Sequence, residues 1–201
     1  MAFRVGVLIS GEGTNLQAIL DTVHGQGGIE VVCVGSSREA APGLERARRA
    51  GVPTAVHARG DHSDREARDA ALGDWLEHHS VDLIVLAGFM EKLGGAFIQR
   101  FGGRIVNVHP SLLPAFPGLH AIEQAIAYGV QVMGVTVHFV EEGIDSGPVI
   151  LQEAFERGEA DEIEGRIHEI EHRLLPAVVR LIAAGAVSID PTDPRIVRVE
   201  K

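Results

Sequence analysis

Asn107 and His109 stand two residues apart in Val106-Asn107-Val108-His109-Pro110. On an extended backbone, residues i and i+2 point to one side, so a carboxamide and an imidazole would converge at the end of a strand. Asn offers an NH₂ donor to an oxygen developing negative charge. His can give or take a proton near neutrality. Asp145, in the acidic stretch Glu141 to Pro148, would orient the ring and favour its charged form if the chain brought it close. These types suit attack of an amine on a carbonyl, where an oxyanion must be held and a proton moved. Spacing alone does not carry Asp145 to His109, and two strand-end polar residues with an unrelated turn aspartate are the alternative. Nothing reads as a covalent nucleophile. Ser111 lacks the G-x-S-x-G elbow, and Cys33 lies inside the apolar run Val31 to Val34. His138 falls on the polar side of its strand, facing either a site or water.

Two further patterns carry chemistry. Ser10-Gly11-Glu12-Gly13-Thr14-Asn15 separates the apolar run Phe3 to Ile9 from Leu16, Ile19, Leu20 and Val23, which follow at helical spacing. Strand, glycine loop and helix together aim backbone N–H groups and a positive dipole end at an anion, usually a phosphate. Leu16 replaces the third glycine of a dinucleotide fingerprint, so a mononucleotide-type phosphate fits better than NAD; a plain tight turn is the alternative. His168-Glu169-Ile170-Glu171-His172 matches H-E-x-x-H, which would set two histidines on one helix face at metal-ligand spacing. Its context is poor: the only third ligands in reach are Asp190, Asp193 or Glu200, and Pro176 follows closely. It reads as the polar edge of an amphipathic helix, with a zinc peptidase using His168 and His172 as the rival from another class.

The elements that must present these residues alternate. Apolar runs at Phe3 to Ile9, Ile29 to Gly35 and Val81 to Ala87 read as strands buried on both faces, with a weaker one at Thr54 to His57. Helices are expected at Leu44 to Ala50, closed by Gly51 and Pro53, and from a capping box at Ser63-Asp64-Arg65-Glu66 to His79. After the Asn107/His109 strand, Pro114 to Gly118 reads as a rigid loop and His120 to Tyr128 as a helix with Ile122, Ala125 and Ile126 inward. Val132 to Val140 alternates as a half-buried, antiparallel side strand. Val149 to Phe155 is a strand, and Ile163, Ile167, Ile170, Leu174 and Val178 mark a long amphipathic helix, bent at Pro176. Residues 186–201 read as a tail hairpin. The fold class is α/β, with a doubly wound, mostly parallel sheet carrying an antiparallel side strand.

The chain has 201 residues, 45% hydrophobic and 23% charged, the profile of one globular domain on a prior of about 150 residues per domain. A net charge of −10 argues against nucleic acid or an anionic membrane as partner. One cysteine excludes disulfide and zinc-thiolate frameworks. No signal-peptide layout and no membrane span are seen, which makes the cytoplasm the expected address.

Four blocks carry a resemblance: Ser10 to Ile19, Leu86-Ala87-Gly88-Phe89-Met90, Asn107 to Pro114, and Val137 to Val140 with Asp145 to Ile150. Together they closely resemble the phosphoribosylglycinamide formyltransferases of purine biosynthesis, over all but the C-terminal tail. The His109 block is shared by the wider formyltransferase superfamily, and the N-terminal loop points to the nucleotide substrate. Methionyl-tRNA formyltransferase would need a C-terminal extension and formyltetrahydrofolate deformylase an N-terminal domain, for which this chain has no room. The resemblance implies a single Rossmann-like formyltransferase domain over 1–201: a nucleotide-phosphate half at 1–100, a folate and catalytic half at 101–185, and the tail. It implies formyl transfer from 10-formyltetrahydrofolate, as co-substrate and without a metal, to the amine of glycinamide ribonucleotide; a formyltetrahydrofolate hydrolase is the nearest alternative. By motif, Asn107 and His109 would stabilise the tetrahedral oxyanion, His109 acting as general acid with Asp145 keeping it protonated. Gly13, Thr14 and Asn15 would bind the phosphate, and Glu171 would contact the nucleotide. Folate would meet Arg65, Met90, Glu91, Lys92, Leu93, Asn107 and Val140. Small-molecule substrates are the implied partners, and a homodimer is compatible with the resemblance. Two departures stand out: Met90-Glu91-Lys92-Leu93 replaces the common Met-Arg-Ile-Leu, and His168 stands where a glutamine is common.

Overall fold

The computed structural model describes residues 2–200. Seven strands are ordered β3-β2-β1-β4-β5-β6-β7: β1 (Phe3–Ile9), β2 (Ile29–Ser36), β3 (Thr54–Val56), β4 (Leu83–Leu86), β5 (Ile105–His109), β6 (Val132–Phe139) and β7 (Val149–Glu156). The fold is the mostly parallel α/β arrangement expected, with helices on both sides of the sheet. The chain divides into two compact units, Met1–Val106 and Asn107–Lys201.

In the first unit β1 runs parallel to both β2 and β4, and β2 runs parallel to β3. Val5, Val7, Leu8 and Ile9 are wholly buried, as befits a β-branched run that pairs on both edges and is covered on both faces. Helices α1 (Thr14–Thr22), α2 (Gly43–Arg49), α3 (Arg65–His78) and α4 (Gly95–Arg100) complete it. The start of α3 differs from the expected capping box. Asp64, not Ser63, is the cap: its carboxylate accepts the Ala67 N–H at 2.8 Å, while the Ser63 hydroxyl donates to Asp64. A charged oxygen at a helix N-terminus also gains from the helix dipole, so the carboxylate outcompetes its neighbour. Helix α4 has no counterpart among the expected elements; at 6 residues it is too short to show a 3.6-residue period.

In the second unit β6 pairs antiparallel with β7, with a register shift between Val137 and His138. The half-buried reading of β6 is wrong: Thr136 is 0% and His138 2% exposed. The Thr136 hydroxyl donates to Ser111 O at 2.6 Å and accepts from the Leu113 N–H and the Gln152 amide. Its polar alternation therefore serves internal hydrogen bonds, not solvent. Helix α5 (Ala121–Tyr128) buries Ala121 and Ala125, while Ile122 and Ile126 are only partly covered. Ala125 is inward as expected, and the buried face is shifted toward Ala121; the helix is entered from His120 in the left-handed region, at φ 61°. Helix α6 (Ala160–Ala183) buries Ile163, Ile167, Ile170, Leu174 and Val178 as its spacing predicts. The tail is the expected hairpin, β8 (Val187–Ile189) against β9 (Val197–Val199). Among the described residues, no helix is long and apolar enough to cross a membrane.

Candidate active site

Strand β5 ends at His109, and the loop that follows wraps back on the ring. Phe116 sits at φ 52°, a left-handed conformation costly for a bulky residue, and its carbonyl lies 2.9 Å from His109 Nε2. A carbonyl only accepts, so Nε2 carries a proton. The Ser111 hydroxyl is spent on Ala115 O at 2.6 Å, which tightens the same loop. His109 is 5% exposed and Asn107 only partly buried, so the amide is the more accessible of the pair.

Far along the chain, Asp145 brings its carboxylate to this strand end. Its Oδ2 lies 3.3 Å from His109 Nδ1 and accepts the Gly118 N–H at 2.7 Å. Its Oδ1 lies 3.5 Å from Asn107 Nδ2 and 3.6 Å from His138 Nε2. One carboxylate thus faces the amide and two imidazoles. Asp145 has φ 47°, which turns the side chain inward from a loop whose close path needs Gly147: a Cβ there would fall on Phe139 O. Burial pushes the Asp145 carboxyl up, but the His138 ring, the Gly118 N–H and the His109 charge outweigh it and hold it at about 2. It is ionised throughout the neutral range.

His138, which the sequence leaves between a site and water, faces the site. Its Nδ1 donates to Phe139 O at 2.7 Å, leaving Nε2 turned to Asn107 Nδ2 at 3.3 Å. The available signal is a histidine in an apolar run, which calls for a buried partner. The role of the Phe116 carbonyl has no signal in residue type.

The other candidate residues fall as follows. Gly13 caps α1 in the left-handed region at φ 70°, with Gly43 Cα where a Cβ would reach. Thr14 and Asn15 form the first turn of α1, Asn15 buried. Arg46 donates to Glu12 O at 2.8 Å, which places a cation behind this loop. Glu171 is buried on α6. His168 and His172 stack one turn apart with centroids 6.0 Å apart, and among the described residues no set of three potential ligands gathers for a metal. Arg65 opens α3 and pairs with Glu66. Met90 is exposed, Leu93 is in the core and Val140 is half-buried. The Glu91 carboxylate is bound by Arg68 at 2.9 Å, so this departure from the resembled family is answered inside the fold. Cys33 is fully buried, and burial pushes its thiol up to about 12, as befits a spacer.

The formyl transferase family model matches residues 3–179. A phosphoribosylglycinamide formyltransferase from Haemophilus influenzae is 43% identical over 190 residues, 92% of this chain and 90% of that one. The trifunctional purine biosynthetic protein adenosine-3 of Homo sapiens is 44% identical over 190 residues, and this chain spans only 19% of its length. A crystal structure of glycinamide ribonucleotide transformylase 1 from Symbiobacterium toebii superposes with a TM-score of 0.94 at 48% identity, covering 100% of this chain and 95% of that one.

Proposed function

The chain belongs to the formyl transferase family, and from that premise we propose that it moves the formyl group of 10-formyltetrahydrofolate onto the amine of glycinamide ribonucleotide, a step of de novo purine biosynthesis. The observation that carries the chemistry is the Asp145 carboxylate 3.3 Å from His109 Nδ1, beside the Asn107 amide.

In the reaction the substrate amine bonds to the formyl carbon and the bond from that carbon to the folate nitrogen breaks. One proton leaves the amine and one reaches the departing nitrogen. The passing oxyanion needs donors already in place; Asn107 supplies an N–H and His109 a positive ring. The partners of the ring suit its positive form. Nε2 is protonated against the Phe116 carbonyl, and a bare Nδ1 lone pair facing a carboxylate would be repelled. We assign general-acid duty to the Nδ1 proton, because Nε2 is anchored on an acceptor that cannot exchange roles. Asp145 orients the ring, holds its charge and passes the proton on through water.

Gly13, Thr14 and Asn15 fit the substrate phosphate, since a helix N-terminus attracts an anion, and Glu171 fits the nucleotide. Arg65, Met90, Lys92, Asn107 and Val140 fit the folate, with Glu91 and Leu93 contributing backbone. The test is direct: supply both substrates and assay the formylated amide. We expect product from the wild-type protein and a loss of about 10²–10⁴-fold for His109→Ala. Formate released at the same rate without the amine substrate would make the protein a hydrolase instead.

A further inference from the structure

Arg68 is 1% exposed, and a buried guanidinium must have its donors met. Four contacts do so. Nε and Nη2 bond Asp69 Oδ1 at 3.0 and 2.6 Å, Nη1 bonds Glu91 Oε2 at 2.9 Å, and Nη2 also bonds Lys92 O at 2.9 Å. Asp69 completes the arrangement by accepting the Gly94 N–H at 2.7 Å. One arginine on α3 therefore grips a carboxylate and a carbonyl of the loop after β4, while its neighbour grips the loop's far end. The near end is tied separately, through the Met90 N–H to Ser10 Oγ at 2.8 Å. Between the ties, Met90 and Lys92 are left exposed.

We propose that Arg68, with Asp69 and Glu91, is a positioning device that sets the backbone path of Met90 to Gly94 and thereby the fit of the folate co-substrate; this rests on the reading of Met90 to Leu93 as folate-facing. Arg68 touches no substrate and acts through the loop. Its planar fork reaches three acceptors at once, which the point charge of lysine does not, and a binding segment held about 1 Å too loosely loses fit.

The experiment compares Arg68→Lys and Glu91→Gln with Met90→Ala, which probes the ligand surface directly. Because Glu91 is partly exposed, Glu91→Gln keeps the test available if the Arg68 variant does not fold. Expected is a rise of about tenfold in KM for 10-formyltetrahydrofolate in both network variants, with kcat and the KM for glycinamide ribonucleotide nearly unchanged. Amide exchange at Gly94, read by NMR, should speed up in both variants while β1 amides stay protected. If Met90→Ala raises the folate KM but the network variants do not, or if Gly94 exchange is unaltered in them, the positioning role is overturned and the folate reading stands. If the network variants speed Gly94 exchange and no variant alters the folate KM, the folate reading itself is overturned, and the role of the network in folate fit with it.

Discussion

Replacing Asp145 by asparagine removes one charge and almost no volume. The side-chain carbonyl of the new amide would still accept the Gly118 N–H, so the change isolates the carboxylate's interaction with the two imidazoles. The carboxyl titrates at about 2 in the fold against an ordinary 3.8, and its side chain is 15% exposed. At about 1.4 kcal/mol per pH unit, the charged form favours the native state by on the order of 2 kcal/mol. Because the folded value lies below the unfolded one, this contribution is complete above about pH 5, halved near pH 3 and gone below about pH 2. Urea unfolding of wild type and Asp145→Asn at pH 7 and pH 3 should therefore show a stability gap that shrinks by about half. In the same variant kcat should fall about 10²–10⁴-fold, because the ring loses both its orientation and its charge partner. A gap that is equal at both pH values, or a kcat within about threefold of wild type, would refute the account of Asp145 as the ring's counter-charge.

Asn107→Ala removes a donor aimed at a developing oxyanion, and should cost about 10²–10³-fold in kcat with substrate KM values little changed, as steady-state kinetics would show. Gly13→Ala puts a Cβ 2.7 Å from Gly43 Cα at a residue with φ 70°. The loop must shift, and steady-state kinetics should show the KM for glycinamide ribonucleotide rising well above that for folate. Thr136→Val strips a buried hydroxyl from three hydrogen-bond partners, and should lower stability by about 1–3 kcal/mol in chemical unfolding.

How far the residues announce this molecule differs by element. The parallel strands are readable because apolar β-branched runs bounded by glycine and helical spacings have few alternative uses. The α3 cap falls one residue from its expected place because Ser63 and Asp64 are both competent caps, and only the fold chooses. The face of β6 defies its pattern because alternation marks polarity, not its destination: Thr136 and His138 turn their polar groups to internal partners. Arg68 escapes a reading of the sequence, and His138 is left there between a site and water, for the same reason. Their meaning comes from carboxylates at Asp145 and Glu91, distant in the chain.

Local chemistry, then, is settled by residue order. An amide and an imidazole two apart on a strand share a side, and a glycine loop before a helix presents N–H groups, because backbone geometry over a few residues has few solutions. Long-range charge placement is not. The approach of Asp145 to His109 depends on a loop returning over Phe116 and Gly118, and the seat of Arg68 depends on two separate segments meeting. Such encounters follow from packing of the whole chain, and electrostatic strength turns on separations of a few ångströms that no spacing in sequence encodes.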